Sequence, residues 1–148
     1  MLKPIFCVLI ATASVIASAE SSKEQQAKDL AKKAVIVVKK EGIDAACKKF
    51  VDPAGGFIQG ELFVYVHDIR AKMICHAANP RLNGKDMIEM KDTDGKYFNK
   101  EMVKIATSTG NGWVNYQFVN QVTKKIQPKS SYVERVDDYI VGVGYFKE

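Results

Sequence analysis

The order of helical and extended periodicities along the chain constrains its fold most strongly. Residues 21 to 41 contain no Gly or Pro and carry apolar residues at three- and four-residue spacing, which predicts a long helix with lysines on its outer face. A second, short helical segment follows over residues 43 to 50. Residues 52 to 56 have turn composition, and after them the pattern changes to that of strands.

Five stretches beyond that turn are rich in β-branched and aromatic residues, and one amphipathic helical segment interrupts them. Because strands and helices do not alternate throughout, a doubly wound parallel sheet is disfavoured. The sequence predicts instead an α+β fold, with helices packed on an antiparallel sheet of about five strands. The predicted strands are residues 62–67, 72–77, 113–118, 129–135 and 139–146, and the amphipathic helix is residues 97–107.

The first nineteen residues have the pattern of an export signal. A short start containing Lys3 precedes an apolar run over residues 5 to 16, and the small-x-small sequence Ala17-Ser18-Ala19 ends the segment. The apolar run is shorter than the roughly 20 residues of a membrane span. We therefore predict a signal peptide over residues 1–19, cleavage near Ala19–Glu20, a mature domain over residues 20–148 and a periplasmic or secreted location. An uncleaved anchor helix is the alternative.

Export changes the interpretation of the cysteines. Cys7 lies in the predicted leader, whereas Cys47 and Cys75 remain in an oxidising compartment, where one disulfide can form. Two separate buried thiols are the alternative, because free Cys packs as a small hydrophobic residue. The separation of the two Cα atoms decides between them, and the sequence does not supply it.

The balance of charge is mildly basic. The chain has 22 Lys plus Arg against 17 Asp plus Glu, a formal charge of +5, and is 47% hydrophobic. That apolar content is typical of a globular domain and not of a disordered chain. Much of the positive excess lies on the first helical region, where it is typical of a solvated helix face, so no nucleic-acid partner is expected.

The last strand predicts a trough in the sheet. Alternation places Gly142 and Gly144 on the same face as Ile140 and Phe146. The opposite face carries Tyr139, Val141, Val143 and Tyr145. Two glycines on one face leave space that a helix, another backbone or a ligand must fill. Other strands carry polar-tipped aromatic residues, which provide apolar walls with hydrogen-bonding ends and together favour a small-molecule pocket. They are Tyr65, His67, His76, Trp113, Tyr116 and Tyr132.

No motif for catalysis is present. The sequence lacks a Gly-x-Ser-x-Gly elbow, a phosphate loop and a dinucleotide fingerprint. His67 and His76 lie on adjoining predicted strands, but a metal site would need a third ligand, for which Asp68 is the nearby candidate. The turn at residues 92–95 resembles the start of a calcium loop without its later acidic ligands. We expect no enzyme, no catalytic residue, no metal and no cofactor.

A series of short motifs runs in order through the mature chain: GELFVYV at 60–66, HAANPRLNGK at 76–85, DTDGK at 92–96, GWVNY at 112–116, PKSSYV at 128–133 and GVGY at 142–145. This series resembles the single Cache domain family, type two, whose members are extracytoplasmic sensor modules similar to PAS domains. The resemblance covers essentially the whole mature chain.

The resemblance implies a fold and a ligand class. The fold is a PAS-like five-stranded antiparallel sheet, with a long N-terminal helix on one face and short helices near a ligand pocket on the other. The ligand is a small organic acid or similar metabolite. Lys129 would supply the charge, although strand alternation places it opposite Tyr132, so that both contact one ligand only if a bulge intervenes. The ligand-binding residues implied by the matched motifs are Tyr65, His76, Trp113, Tyr116, Lys129 and Tyr132.

Two functions follow as hypotheses. The first is an exported module that binds or senses a small carboxylate-like ligand and, having no signalling domain of its own in this sequence, acts through a membrane sensor protein or as a homodimer. The second is a protein-interaction module with a vestigial pocket, which works through its long N-terminal helix. A small exported enzyme is a third and weaker hypothesis.

Overall fold

The structure is a computed structural model and describes residues 21–148. The predicted leader, residues 1–19, lies outside these residues and stays a prediction. Three α-helices and six strands make up the described chain, and a 3₁₀ turn at Pro80–Leu82 lies between β3 and α3. The helices are α1 (Lys23–Glu41), α2 (Ile43–Val51) and α3 (Phe98–Ser108), and the strands are β1 (Ile58–Gln59), β2 (Leu62–Asp68), β3 (Met73–His76), β4 (Asn111–Val119), β5 (Ile126–Val136) and β6 (Tyr139–Phe146).

The predicted long helix is α1, and local chemistry sets both of its ends. The Ser22 hydroxyl accepts a hydrogen bond from the Gln25 amide at 3.2 Å and so caps the first turn. Gly42 ends the helix with φ of 79°, a conformation that residues with a side chain rarely adopt. The buried side chains recur every three or four residues and form one stripe against the sheet. They are Ala27, Leu30, Ala31, Ala34, Val35 and Val38.

The strands form one antiparallel sheet in the order β1-β2-β6-β5-β4. β3 also pairs with β2, and because β6 occupies the other edge of β2, β3 shares an edge with β1. The predicted α+β architecture is confirmed, with six strands in place of about five. The additional strand is β1, whose two residues are too few to produce an alternating pattern.

The sheet separates two hydrophobic clusters. α1 and α2 cover one face, where Val64, Val66, Val141 and Val143 pack against the buried stripe of α1. α3 and the segment between β3 and α3 cover the opposite face. Within residues 21–148 the two clusters together form a core on both faces of the sheet. Within the same residues, no helix is long and apolar enough to cross a membrane.

A disulfide joins the helical layer to the sheet. Cys47 of α2 is bonded to Cys75 of β3, with their Cα atoms 5.9 Å apart, inside the usual range for such bridges. The alternative of two free thiols is therefore wrong. The bridge closes a loop with a sequence separation of 28 residues that includes the turn after α2 and the strands β1 and β2.

Candidate ligand site

A small cavity lies between the sheet and the layer formed by α3 and the segment before it, with a free volume of about 30 Å³. That volume is enough for a water molecule or two. The methionines among the described residues all line this cavity, so its walls are made of unbranched, polarizable side chains that adjust their shape readily. The lining residues are Tyr65, Met73, His76, Leu82, Met87, Met90, Phe98, Asn99, Met102, Tyr116, Phe118 and Lys129.

Of the six residues predicted for the ligand site, four line this cavity: Tyr65, His76, Tyr116 and Lys129. The other two do not. Trp113 and Tyr132 lie on the opposite face of the sheet, where their rings contact each other at 5.4 Å between centroids. The Lys28 ammonium of α1 lies 5.6 Å from the Tyr132 ring, and the Tyr132 hydroxyl donates to Glu134 at 2.8 Å.

The separation of the two groups follows from strand alternation. Lys129 and Tyr132 are three residues apart on β5 and the ladder to β6 is regular through both positions, so they point to opposite faces. Trp113 is paired with Tyr132 across β4 and β5 and shares its face. The expectation that all six residues surround one ligand would have required a bulge, and β5 has none between these positions.

Lys129 is the most unusual residue of the cavity. It is 2% exposed, and its ammonium faces the rings of Phe63, Phe118 and Phe146 at 4.5, 5.3 and 5.0 Å from their centroids. Burial lowers the pKa of Lys129 to about 7, and the charge of Glu61 opposes this shift. None of the ion pairs found within residues 21–148 includes it. The cavity thus contains a cation whose only close compensation comes from aromatic faces.

His76 is held as a neutral hydrogen-bond donor. Its Nδ1 accepts a hydrogen bond from the Asn79 amide at 2.9 Å, which leaves the proton of the neutral ring on Nε2. Burial, together with the charge of Lys129, lowers the pKa of His76 to about 4. The Asn83 side chain accepts from the His76 backbone amide at 3.0 Å and fixes this end of β3. The turn at the start of the HAANPRLNGK motif therefore sets the orientation of the ring.

The two cavity tyrosines are also neutral. The Tyr116 hydroxyl is 2.9 Å from the Ser131 hydroxyl, and the Tyr65 hydroxyl donates to the Met102 sulfur at 3.5 Å. Burial raises the pKa of Tyr65 to about 12 and that of Tyr116 well above its ordinary value. Both hydroxyls thus remain protonated around neutral pH and can donate to an anion.

The trough predicted on β6 exists, and cavity side chains fill it. A Cβ atom built on Gly142 would collide with the ring of Tyr65, and one on Gly144 would collide with Ser131 Oγ and the Lys129 side chain. The occupant is thus neither a helix nor a backbone. The glycines make room on the sheet for two of the residues that line the cavity.

The histidine pair does not form a metal site in the residues described. His67 is fully buried, with Nδ1 3.0 Å from the Asp68 carbonyl and no hydrogen-bond partner for Nε2. The Asp68 carboxylate accepts instead from the amides of Arg70 and Lys72. Residues 21–148 contain no cluster of three His, Cys, Asp or Glu side chains that could hold a metal ion.

In the acidic turn at residues 92–96, backbone amides donate to both carboxylate oxygens of Asp92. One Asp92 oxygen accepts from the amides of Asp94 and Lys96, and the other accepts from the Gln117 amide at 2.9 Å. These bonds lower the pKa of Asp92. The resemblance to a calcium loop therefore reflects a turn that ties the chain to the edge strand β4.

Sequence reasoning missed most of the apolar lining. Phe98 and Met102 belong to the predicted stripe of α3, so periodicity identifies them as buried but not as cavity residues. Met87 and Met90 come from a segment without periodicity. Asn99 is 4% exposed and donates to the Met87 carbonyl at 2.9 Å, which connects α3 to that segment. Only the packing of this segment on the sheet brings these residues together.

Comparison with known proteins identifies the family of this chain. A model of the Cache domain matches residues 11–147, so the chain belongs to the Cache domain family. The fold is that of a PAS-like, extracytoplasmic sensory domain, and the members of this family are ligand-binding sensors.

Individual relatives are chemoreceptors. Over 86 residues the chain is 31% identical to the methyl-accepting chemotaxis protein McpP of Pseudomonas putida, a match that covers 57% of this chain and 16% of that protein. The chain thus spans about a sixth of the length of this curated relative. A Cache chemosensory domain, solved in a study of carboxylic acid recognition, superposes with a TM-score of 0.71 at 25% identity, covering 85% of this chain and 94% of that one.

A second solved structure shows the same fold at lower identity. It is a methyl-accepting chemotaxis protein of Vibrio parahaemolyticus, with a TM-score of 0.72, 17% identity and coverage of 83% of this chain and 87% of that one.

Proposed function

We propose that this domain is an exported sensor that binds a small monocarboxylate in the cavity around Lys129. The buried, unpaired ammonium of Lys129 carries the proposal, because a cation in an apolar cavity is stabilised when an anion occupies the same space. Among the described residues the cavity lining contains one charged side chain and no Asp or Glu. A ligand with one carboxylate and an apolar remainder matches that lining.

The donors around Lys129 support this binding mode. The Nε2–H of His76 and the hydroxyls of Tyr65 and Tyr116 belong to the same lining, and all three groups are neutral donors around neutral pH. A carboxylate accepts several hydrogen bonds at once and binds most strongly when one donor is charged. The methionines would enclose the apolar part of the ligand, and their flexibility lets the small cavity enlarge around it.

The solved relative from the study of carboxylic acid recognition makes the same ligand class a natural expectation here. A second carboxylate or an ammonium group on the ligand would be buried without a partner, which costs several kcal/mol in an apolar site. We therefore expect monocarboxylates to bind better than dicarboxylates or amino acids. The proposal is one of binding without catalysis, and the bound state would be conveyed through a membrane sensor protein or a homodimer.

Isothermal titration calorimetry of residues 20–148 with acetate, propionate, pyruvate, succinate and alanine tests the proposal. Tyr116→Phe should weaken binding of a monocarboxylate, whereas Tyr132→Phe, on the opposite face of the sheet, should leave it unchanged. Equal effects of the two substitutions would contradict the assignment of the site. Failure of every acid to bind or to raise the melting temperature would favour the interaction-module hypothesis.

A further inference from the structure

The hairpin that joins β4 to β5 exposes an apolar tip. Among the described residues, five large hydrophobic side chains are strongly exposed, and three of them lie in this hairpin: Val119 at 40%, Val122 at 75% and Ile126 at 54%. Val119 and Ile126 are paired at the end of the ladder, and Val122 lies in the loop between them. Exposed aliphatic residues that lie together, and not scattered singly over the surface, indicate a contact surface.

The loop is held in this conformation by its own hydrogen bonds. Asn120 is 4% exposed, and its side chain accepts from the Val122 amide at 2.9 Å and donates to Gln127 at 2.8 Å. Its backbone amide donates to the Lys125 carbonyl, and its carbonyl accepts from the Lys124 amide. The hydrogen bonds of Asn120 therefore hold the loop in a conformation in which Val122 is exposed.

The charged residues within the hairpin have one sign. Lys124 and Lys125 are exposed in the same loop, and residues 111 to 133 contain no Asp or Glu. Neither lysine takes part in the ion pairs found within the described residues. Glu61 lines a small cavity with Val122, and its carboxylate is paired with Lys23 at 2.9 Å.

The tip lies at the end of the domain where both ends of the described chain meet. Val122, Glu61 and Phe146 line the same small cavity, and the Lys23 ammonium contacts both Glu61 and Glu148. Lys23 is the first residue of α1, so the N-terminal end of the described chain lies beside this hairpin.

We propose that this hairpin tip docks on the surface of a membrane that contains anionic lipids. Val119, Val122 and Ile126 would enter the headgroup boundary, while Lys124 and Lys125 would lie against lipid phosphates. An apolar edge flanked by lysines is the chemistry that such an interface selects. Self-association through the same tip would place the lysines of two copies against each other, which like-charge repulsion disfavours.

Co-sedimentation of residues 21–148 with large vesicles tests the proposal. The domain should bind vesicles of phosphatidylglycerol and phosphatidylethanolamine, bind much less to vesicles of phosphatidylcholine alone, and dissociate as the salt concentration rises. Replacing both loop lysines, Lys124→Gln with Lys125→Gln, should weaken binding on the order of tenfold or more. The matched control, Lys39→Gln with Lys40→Gln on α1, should change it little.

The apolar part has its own test. Val122→Asp should weaken vesicle binding at least as strongly as the loss of both lysines, whereas Ile36→Asp, which adds the same charge at an exposed position of α1, should not. Circular dichroism melting of each variant establishes that the fold is retained. Equal binding of all variants, binding that ignores lipid charge, or a dimer in the absence of vesicles that Val122→Asp dissociates would each overturn the proposal.

Discussion

The ammonium of Lys129 lies 4.5 Å from the centre of the Phe63 ring, with no carboxylate paired to it among the described residues. A charge in this position destabilises the empty domain, because aromatic faces replace only part of the hydration that burial removes. The residue that we assign to ligand binding therefore reduces the stability of the fold that contains it. The first two predictions below follow from this conflict.

Lys129→Met should raise the melting temperature of the empty domain and abolish binding of monocarboxylates. The folded-state pKa of about 7 is lower than the ordinary value of 10.5, so the unfolded chain binds more protons between these values. The wild-type free energy of unfolding should accordingly rise with pH from about 7 toward 10, and that rise should be reduced in the variant. Urea unfolding at pH 6, 8 and 9.5 measures both effects. A variant less stable than wild type at pH 6 would contradict the prediction.

Ligand affinity should fall as the pH rises above about 7. Below that pH Lys129 is charged in the empty domain, and above it a proton must be taken up when the carboxylate binds. The decrease should approach tenfold per pH unit until the pKa of the bound state is reached. Calorimetry at pH 8 in buffers of different ionisation enthalpy should detect the proton uptake. Lys129→Arg, which keeps its charge throughout, serves as the control and should show a flat profile if it binds the ligand.

Removing the disulfide should destabilise the domain without unfolding it. For the 28-residue separation between Cys47 and Cys75, the loss of loop closure corresponds to about 3.6 kcal/mol. Urea unfolding of the double variant Cys47→Ala with Cys75→Ala, compared with wild type with and without dithiothreitol, measures this. Reduced wild type and the double variant should agree. An unchanged unfolding midpoint after complete reduction would contradict the prediction.

Gly142→Ala should destabilise the domain by about 1–3 kcal/mol, because a methyl group here collides with the buried ring of Tyr65, which must move to admit it. The double variant Gly142→Ala with Tyr65→Leu should cost less than the sum of the two single changes, since the smaller side chain removes the collision. Chemical denaturation of the three variants completes the cycle. Strict additivity would show that Tyr65 does not fill the trough of β6.

Much of the fold could be predicted from periodicity, because most segments keep one face in a core. The apolar stripe of α1 specifies its buried side, and alternation along β6 assigns its residues to two opposite faces, both of which are buried. The structure agrees with both assignments. Two-residue β1 could not be found in this way. The bridge between Cys47 and Cys75 depended on a distance of 5.9 Å between residues of different layers, which no local pattern contains.

The site was less accessible to sequence reasoning. The resemblance to the family implied Lys129 and Tyr132 together as ligand-binding residues. Strand alternation already placed them on opposite faces, and the structure follows the alternation. The methionine walls come partly from the irregular segment between β3 and α3. Its course is fixed by contacts such as the Asn99 amide with the Met87 carbonyl, which are made only after the chain has packed.

The alternation of β2 has a mechanical consequence. Tyr65 lines the cavity that we propose as the ligand site, and its immediate neighbours Val64 and Val66 are buried in the core beneath α1. Because alternate residues of one strand face the cavity and α1, a shift of β2 that admits a ligand would also move the side chains on which α1 packs. A single strand can therefore couple the two faces of the sheet.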